Sequence, residues 1–253
     1  MQTIFDSHAH YDDEAFDNDR DELLIHLNES GVCGIVNNAT DIKTSRFNVE
    51  FVKKYPFIYG TAGIHPECAS NIHEEDYKEL REILKEEKIV AVGEIGLDYY
   101  WKDVPKEEQL IVFERQLQLA LEVDMPVIIH DREAHGDTFL LLSKYKPKGF
   151  LHSFSGSVEM MREAVKLGLS ISLGGVVTFK NARHSVDVAR EVPIDRLLLE
   201  TDAPYLSPVP FRGKRCDSSM IRYTAEKIAE IRQTSTDEII RQTRENAKKM
   251  FGI

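Results

Sequence analysis

The chain has 253 residues, 42% of them hydrophobic and 30% charged, with a formal net charge of −11. This is the composition of a globular protein with a sizeable core, and it excludes fibrous and low-complexity classes. So acidic a balance is unfavourable for gripping nucleic acid through a broad basic surface, which needs clustered Lys and Arg. It leaves a phosphate-containing substrate open, because bound divalent cations reverse the local field.

The N-terminus, Met1-Gln-Thr-Ile-Phe-Asp, has no basic region followed by an apolar one, so no signal peptide is expected. Cys33, Cys68 and Cys216 form no CxxC pair, and reduced thiols in a cytoplasmic protein are the simplest expectation. The longest apolar runs, such as Ile89–Val92 and Leu197–Leu199, are too short to span a bilayer, so no membrane partner is expected. No obligate protein partner is indicated either.

In chain order, strand signals fall at Thr3–Phe5, Gly34–Asn37, Ile58–Ala62, Ile89–Val92, Val127–Ile129, Phe150–Leu151, Leu169–Leu173 and Leu197–Leu199. Amphipathic stretches lie between them. Glu74–Lys85 sets Tyr77, Leu80, Ile83 and Leu84 on one face, and Glu107–Val123 does the same with Leu110, Phe113, Leu117 and Leu121. Two further helical stretches, Ser218–Arg232 and Thr236–Phe251, close the chain, the second stopping at Gly252. Eight strands alternating with helices predict an α/β fold, a single (β/α)8 TIM-type barrel over residues 1–253 with an extra C-terminal helix. A doubly wound sheet is the runner-up, weakened by the lack of a Gly-rich phosphate turn after the first strand.

Position carries the functional signal. Of nine histidines, five stand at or just after the C-terminal end of a strand signal: His8, His10, His65, His130 and His152. Glu94 and Asp202 end two more. In a barrel those ends converge on the face where catalytic groups collect. His8 and His10, two apart on extended backbone, leave the same face and can reach one cation. Imidazole with carboxylate suits zinc, manganese or iron, and carboxylate with water suits magnesium.

An HxH pair alone is weak, and a strand-end carboxylate can simply cap the next helix. Seven such residues on one predicted face are harder to dismiss, since burying that much polar chemistry uncompensated costs free energy at every group. His26, His73, His135 and His184 fall in helical or polar stretches and are read as structural. Arg132, just past His130, and Arg212, Lys214 and Arg215, past Asp202, are either solvated loop residues or contacts to substrate phosphate.

Together these segments resemble the TatD-family deoxyribonucleases, a branch of the amidohydrolase-like barrels. The resemblance rests on Phe5-Asp-Ser-His-Ala-His, Gly63-Ile-His-Pro, Gly93-Glu-Ile-Gly-Leu-Asp-Tyr, Val127-Ile-Ile-His, His152-Ser-Phe-Ser-Gly and Leu198-Leu-Glu-Thr-Asp-Ala-Pro-Tyr-Leu. These run through essentially the whole chain. The resemblance implies two divalent metal ions per chain (Zn, Mg or Mn), one held by His8 and His10 and the other by His130 and His152. It implies that Glu94 bridges them, that Asp202 binds the first and handles the proton of the attacking water, and that His65 lies near the substrate phosphate.

The sequence departs from the family twice. Glu67 stands where a second histidine is common, and Arg215-Cys216-Asp217-Ser218 replaces Arg-Asn-Glu-Pro. Both positions bear on substrate preference more than on chemistry.

The leading expectation is therefore hydrolysis of DNA phosphodiesters, 3'-5' exonuclease-like, on single strands or ends, through a two-metal centre. The alternative is another ester or amide, such as an aminoacyl-tRNA ester or a small cyclic amide, on the same centre. Related amide-cleaving barrels often carry a carboxylated lysine on the fourth strand, and no lysine lies between Ile89 and Leu97. A non-catalytic binding barrel would show eroded ligand positions, and here every one is filled.

Overall fold

The structure is a computed structural model and describes residues 3–253. Its strands are β1 (Ile4–Ala9), β2 (Val32–Asn37), β3 (Ile58–Ala62), β4 (Ile89–Asp98), β5 (Val127–Arg132), β6 (Gly149–Leu151), β7 (Ser170–Leu173) and β8 (Leu197–Leu199). Its α-helices are α1 (Arg20–Glu29), α2 (Ile42–Lys54), α3 (Glu74–Ile83), α4 (Lys106–Glu122), α5 (His135–Tyr145), α6 (Val158–Lys166), α7 (Arg183–Glu191), α8 (Ile221–Arg232) and α9 (Thr236–Phe251). The strands form one sheet in chain order β1 to β8, and a helix follows each strand. This is the (β/α)8 barrel expected from the sequence, with α9 as the extra C-terminal helix.

The chain divides into two compact units. One holds the chain up to Asn37, Ser153–Glu163 and Ser170–Ile253, and contains the closing seam of the barrel. There β8 returns to β1, where Ala9 bridges Ala203 in parallel, Asp202 N–H donates to His8 O at 3.0 Å and His10 N–H donates to Ala203 O at 2.7 Å. Helix α9 packs on β1 and β8, with the Phe251 ring stacked 6.2 Å from that of Phe5. Ser235 caps the start of α9 by accepting the Glu238 N–H, and Gly252 ends it in the left-handed region at φ 71°.

The other unit, Asn38–His152 with Ala164–Leu169, carries β3 to β6 as neighbouring parallel strands. The sequence reading ends the fourth strand signal at Val92. Instead β4 runs on to Asp98, with every residue buried and its register against β5 shifting between Val92 and Ile95. A glycine in a buried strand marks a local irregularity rather than an end. Gly96 adopts φ 147°, and a Cβ there would collide with the His130 carbonyl, so only glycine lets β5 lie this close. In the same way β1 reaches Ala9 and β5 reaches Arg132, so His8, Glu94 and His130 stand within strands rather than beyond them.

The face of α4 also differs from expectation. Leu121 is exposed and Leu110 half-buried, while Gln109 and Gln116 are buried beside Val112, Phe113 and Leu117. Apolarity alone misplaces that face, because two glutamines spend their side chains on neighbouring backbone.

Candidate metal centre

In the first unit Asp6 and His8 alternate onto one side of β1, and His10 follows its last residue. His8 Nε2 lies 3.1 Å from His10 Nε2, and Asp202 Oδ1 is 3.5 Å from the former and 3.6 Å from the latter. Asp202 sits at φ 62°, a conformation Asp tolerates better than most residues, which turns the chain sharply after β8. Behind this group Asp6 is fully buried and accepts from His8 N–H, Thr201 N–H, the Thr201 hydroxyl and the Ser218 hydroxyl. Burial pushes its carboxyl up to about 7 despite those hydrogen bonds. Asp6 therefore ties the histidine-bearing strand to the segment carrying Asp202.

In the second unit Glu94, only 2% exposed, points one oxygen at three histidines. Its Oε1 is 2.7 Å from His152 Nε2, 2.9 Å from His130 Nδ1 and 3.5 Å from His65 Nε2, and the first two nitrogens are 3.1 Å apart. The strand itself is pinned at this point. Glu94 N–H donates to Ala39 O at 2.7 Å, and the Thr61 hydroxyl donates to Gly93 O at 2.5 Å.

Two imidazole tautomers follow from the outer hydrogen bonds. His130 Nε2 is 3.0 Å from Asp98 Oδ2. Burial would raise the Asp98 carboxyl, but hydrogen bonds from His130, Trp101 N–H and Tyr100 N–H hold it below its usual value, so it stays an ionised acceptor. A proton of His130 therefore sits on Nε2, which leaves Nδ1 as the atom facing Glu94 and His152; burial lowers the pKa of the ring, but hydrogen bonds to Asp98 and Glu94 raise it overall. Such a carboxylate behind an imidazole is the usual support of a metal-ligating histidine. His65 is the opposite case. Its Nδ1 accepts the Glu67 N–H at 3.2 Å, which leaves Nε2 carrying the proton in the neutral ring. Burial lowers the pKa of His65 and keeps that ring neutral, so it offers Glu94 a donor. His65, Glu94 and His130 are close enough to share an ion by distance alone. The tautomer makes His65 a hydrogen-bond donor instead, and leaves Glu94, His130 and His152 as the residues of this group that could hold an ion.

Both clusters fit a cation. With metal–ligand bonds of about 2.0–2.2 Å, two donor atoms on one tetrahedral or octahedral ion stand roughly 2.8–3.6 Å apart. The separations of 2.7–3.1 Å in one unit lie at the short end of that spacing, and those of 3.1–3.6 Å in the other fall within it. His130 Nδ1 lies 2.9 Å from a carboxylate oxygen, a contact that either a proton or a cation between the two atoms satisfies.

The basic residues divide. Arg215 makes a bidentate pair with Asp19 at 2.6 and 2.7 Å and donates to Ala15 O at 2.7 Å, so its guanidinium joins a loop to the start of α1. Arg212 stacks over Phe179 at 4.4 Å, and Arg132 over Tyr100 at 4.0 Å. The sequence reading missed Asp6, Asp98 and Glu200, a buried carboxylate that accepts Ser153 N–H at 2.5 Å. A signal for the first two was present in strand parity. Residues 6 and 8 share a face of β1, as do 94 and 98 of β4, and Glu200 directly follows β8.

The sequence pattern of one family, TatD related DNase, matches residues 5–252. The chain belongs to this family. It is 43% identical over 253 residues to a Bacillus subtilis protein described as the uncharacterized metal-dependent hydrolase YabD, covering 99% of each chain. It is 30% identical over 259 residues to the 3'-5' ssDNA/RNA exonuclease TatD of Erwinia amylovora, covering 99% of this chain and all of that one. Among solved structures, the TatD homologue YjjV of Escherichia coli K12 superposes with a TM-score of 0.92 at 30% identity, over 99% of this chain and 98% of that one. TatD relatives are metal-dependent hydrolases, and this chain is an enzyme of that kind, with His and Glu groups able to hold metal.

Proposed function

We propose that the chain hydrolyses DNA phosphodiesters from the 3' end of single strands, through one centre holding two divalent ions and with residues 1–253 acting as a single catalytic domain. Glu94 carries this reading. Its carboxylate meets two imidazole nitrogens at 2.7 and 2.9 Å on a strand, β4, that contains no lysine, where a carboxylated lysine would point to amide cleavage. Membership of the TatD family, and a relative over the whole chain whose name is that of a single-strand exonuclease, support the substrate class.

In the proposal His8, His10 and Asp202 hold one ion, His130 and His152 the other, and Glu94 serves both. Divalent ions so held acidify water and neutralise charge on the phosphoryl oxygens. Asp202 accepts the proton of the attacking water, its carboxylate lying just past β8 and 17% exposed. The His65 Nε2–H donates to a non-bridging phosphoryl oxygen, which its tautomer suits it to do. Asp6 and Asp98 hold the ligand-bearing segments in place, so the donors need little rearrangement to bind the ions.

The test is chelated protein, with Mg²⁺, Mn²⁺ or Zn²⁺ added back, against end-labelled single-stranded DNA. Stepwise loss of nucleotides from the 3' end is expected with at least one metal. No DNA cleavage under any of them, with hydrolysis of an aminoacyl-tRNA ester or a small cyclic amide instead, would move the activity to the second substrate class.

A further inference from the structure

Beyond the ligands, β4 and β5 end in a group of exposed rings that the hydrolytic chemistry does not use. Asp98, the last residue of β4, accepts His130 Nε2–H through one oxygen and the N–H groups of Tyr100 and Trp101, at 2.9 and 3.1 Å, through the other. One carboxylate thus orients a metal ligand and hangs an aromatic turn beside it. The Tyr100 and Trp101 rings meet edge to face at 4.9 Å and are 45% and 47% exposed. Arg132 stands opposite Asp98 in the β4–β5 register, and its guanidinium lies 4.0 Å over the Tyr100 ring and 5.8 Å from that of Trp101.

The state of that guanidinium is informative. No carboxylate lies within 4.0 Å of it among the described residues, and it donates no hydrogen bond there, a state it shares with Arg212 over Phe179, whereas Arg20, Arg46, Arg81, Arg115 and Arg215 are each paired with an acid. In a chain of net charge −11 an unpaired arginine stacked on an exposed ring is poorly explained by folding alone. It is well explained as a surface that takes an anionic, flat ligand, since unstacked bases pack on aromatic rings and on arginine planes. His130 and Arg132 also leave the same side of β5, with backbones about 7 Å apart, within reach of one nucleoside.

We infer that Tyr100, Trp101 and Arg132 form a stacking platform for the nucleobase next to the cleaved phosphodiester, which rests on the phosphodiesterase reading above. Every base offers a flat face, so the platform selects for an unpaired, unstacked end rather than for a sequence. A base inside a duplex is not available to it.

Trp101 is the only tryptophan in the chain, so its fluorescence reports the platform directly. Metal-loaded protein is titrated with a 5'-labelled hexathymidylate carrying cleavage-resistant phosphorothioate links, and with an abasic oligomer of equal length. Binding is followed separately by anisotropy of the label. Quenching that tracks binding of the thymidylate, with little for the abasic oligomer, is expected. In turnover, base-bearing DNA should exceed abasic DNA in kcat/KM by roughly 5- to 150-fold, the range of one base stack. That preference should fall toward unity in Trp101→Ala and Arg132→Ala and survive in part in Trp101→Phe. Tight binding or cleavage with unchanged fluorescence, or equal preference in all four proteins, overturns the platform and leaves the phosphodiesterase reading standing. Neither binding nor cleavage of any oligonucleotide overturns both.

Discussion

Asp98 shows what a single carboxylate does for a site it does not enter. It fixes the tautomer of His130, and it can do so only while ionised, which the Trp101 and Tyr100 N–H groups help secure. Asp98→Asn keeps the size of the side chain but removes the charge and can turn a donor toward Nε2–H. Metal affinity should fall by about 10- to 100-fold, the usual cost of losing such support. Competition with a chromogenic chelator reads this out, and an unchanged affinity would show that His130 needs no partner. At this scale the candidate ligands were legible in the sequence because few side chains bind divalent ions and these stood at or just after the strand signals. Asp98 was not read as functional, since a buried carboxylate behind a ligand resembles an ordinary loop acid until its partner is known. Arg215 shows the converse, a residue suited to phosphate by type that is held by Asp19.

Helix α4 holds two parts of the site in place from one face. Gln109 and Gln116, two turns apart and both buried, each clamp a backbone amide unit. Gln109 accepts Asp98 N–H at 2.9 Å and donates to Asp98 O at 2.9 Å, fixing the end of β4. Gln116 accepts Ile64 N–H at 2.7 Å and donates to Ile64 O at 2.9 Å, fixing the segment that bears His65. Gln116→Leu fills the same space but strands two buried backbone groups, at about 1–3 kcal/mol each, so a loss of roughly 2–6 kcal/mol is expected. Urea unfolding should show a lower midpoint with an unchanged slope, and a loss below about 0.5 kcal/mol would mean that water or another side chain takes over. The existence and kind of the elements were legible because strand and helix differ in period. The extent of β4 and the buried face of α4 were not, because a glycine and two glutamines act there through contacts with residues distant in sequence.

Over the whole molecule, the rhythm of eight strands and helices was enough to give the barrel, since few architectures alternate so regularly in this length. The net acidic charge and a phosphate substrate make opposite demands, which divalent ions held at the site would reconcile by supplying positive charge there. Ligands that bind only the folded state stabilise it by mass action, about 2.7 kcal/mol at a hundredfold excess over Kd. For a chain of this size chelation should therefore lower Tm by roughly 5–10 °C in calorimetry. No change would argue against specific sites. The most direct test of the account is cleavage rate of single-stranded DNA as metal is returned to chelated protein in counted equivalents, for wild type and Glu94→Gln. The rate should rise from zero to a plateau near two equivalents per chain, and the variant should stay near baseline throughout. Full activity in the chelated protein, a plateau at one equivalent, or an active Glu94→Gln enzyme would contradict a two-ion centre joined by Glu94.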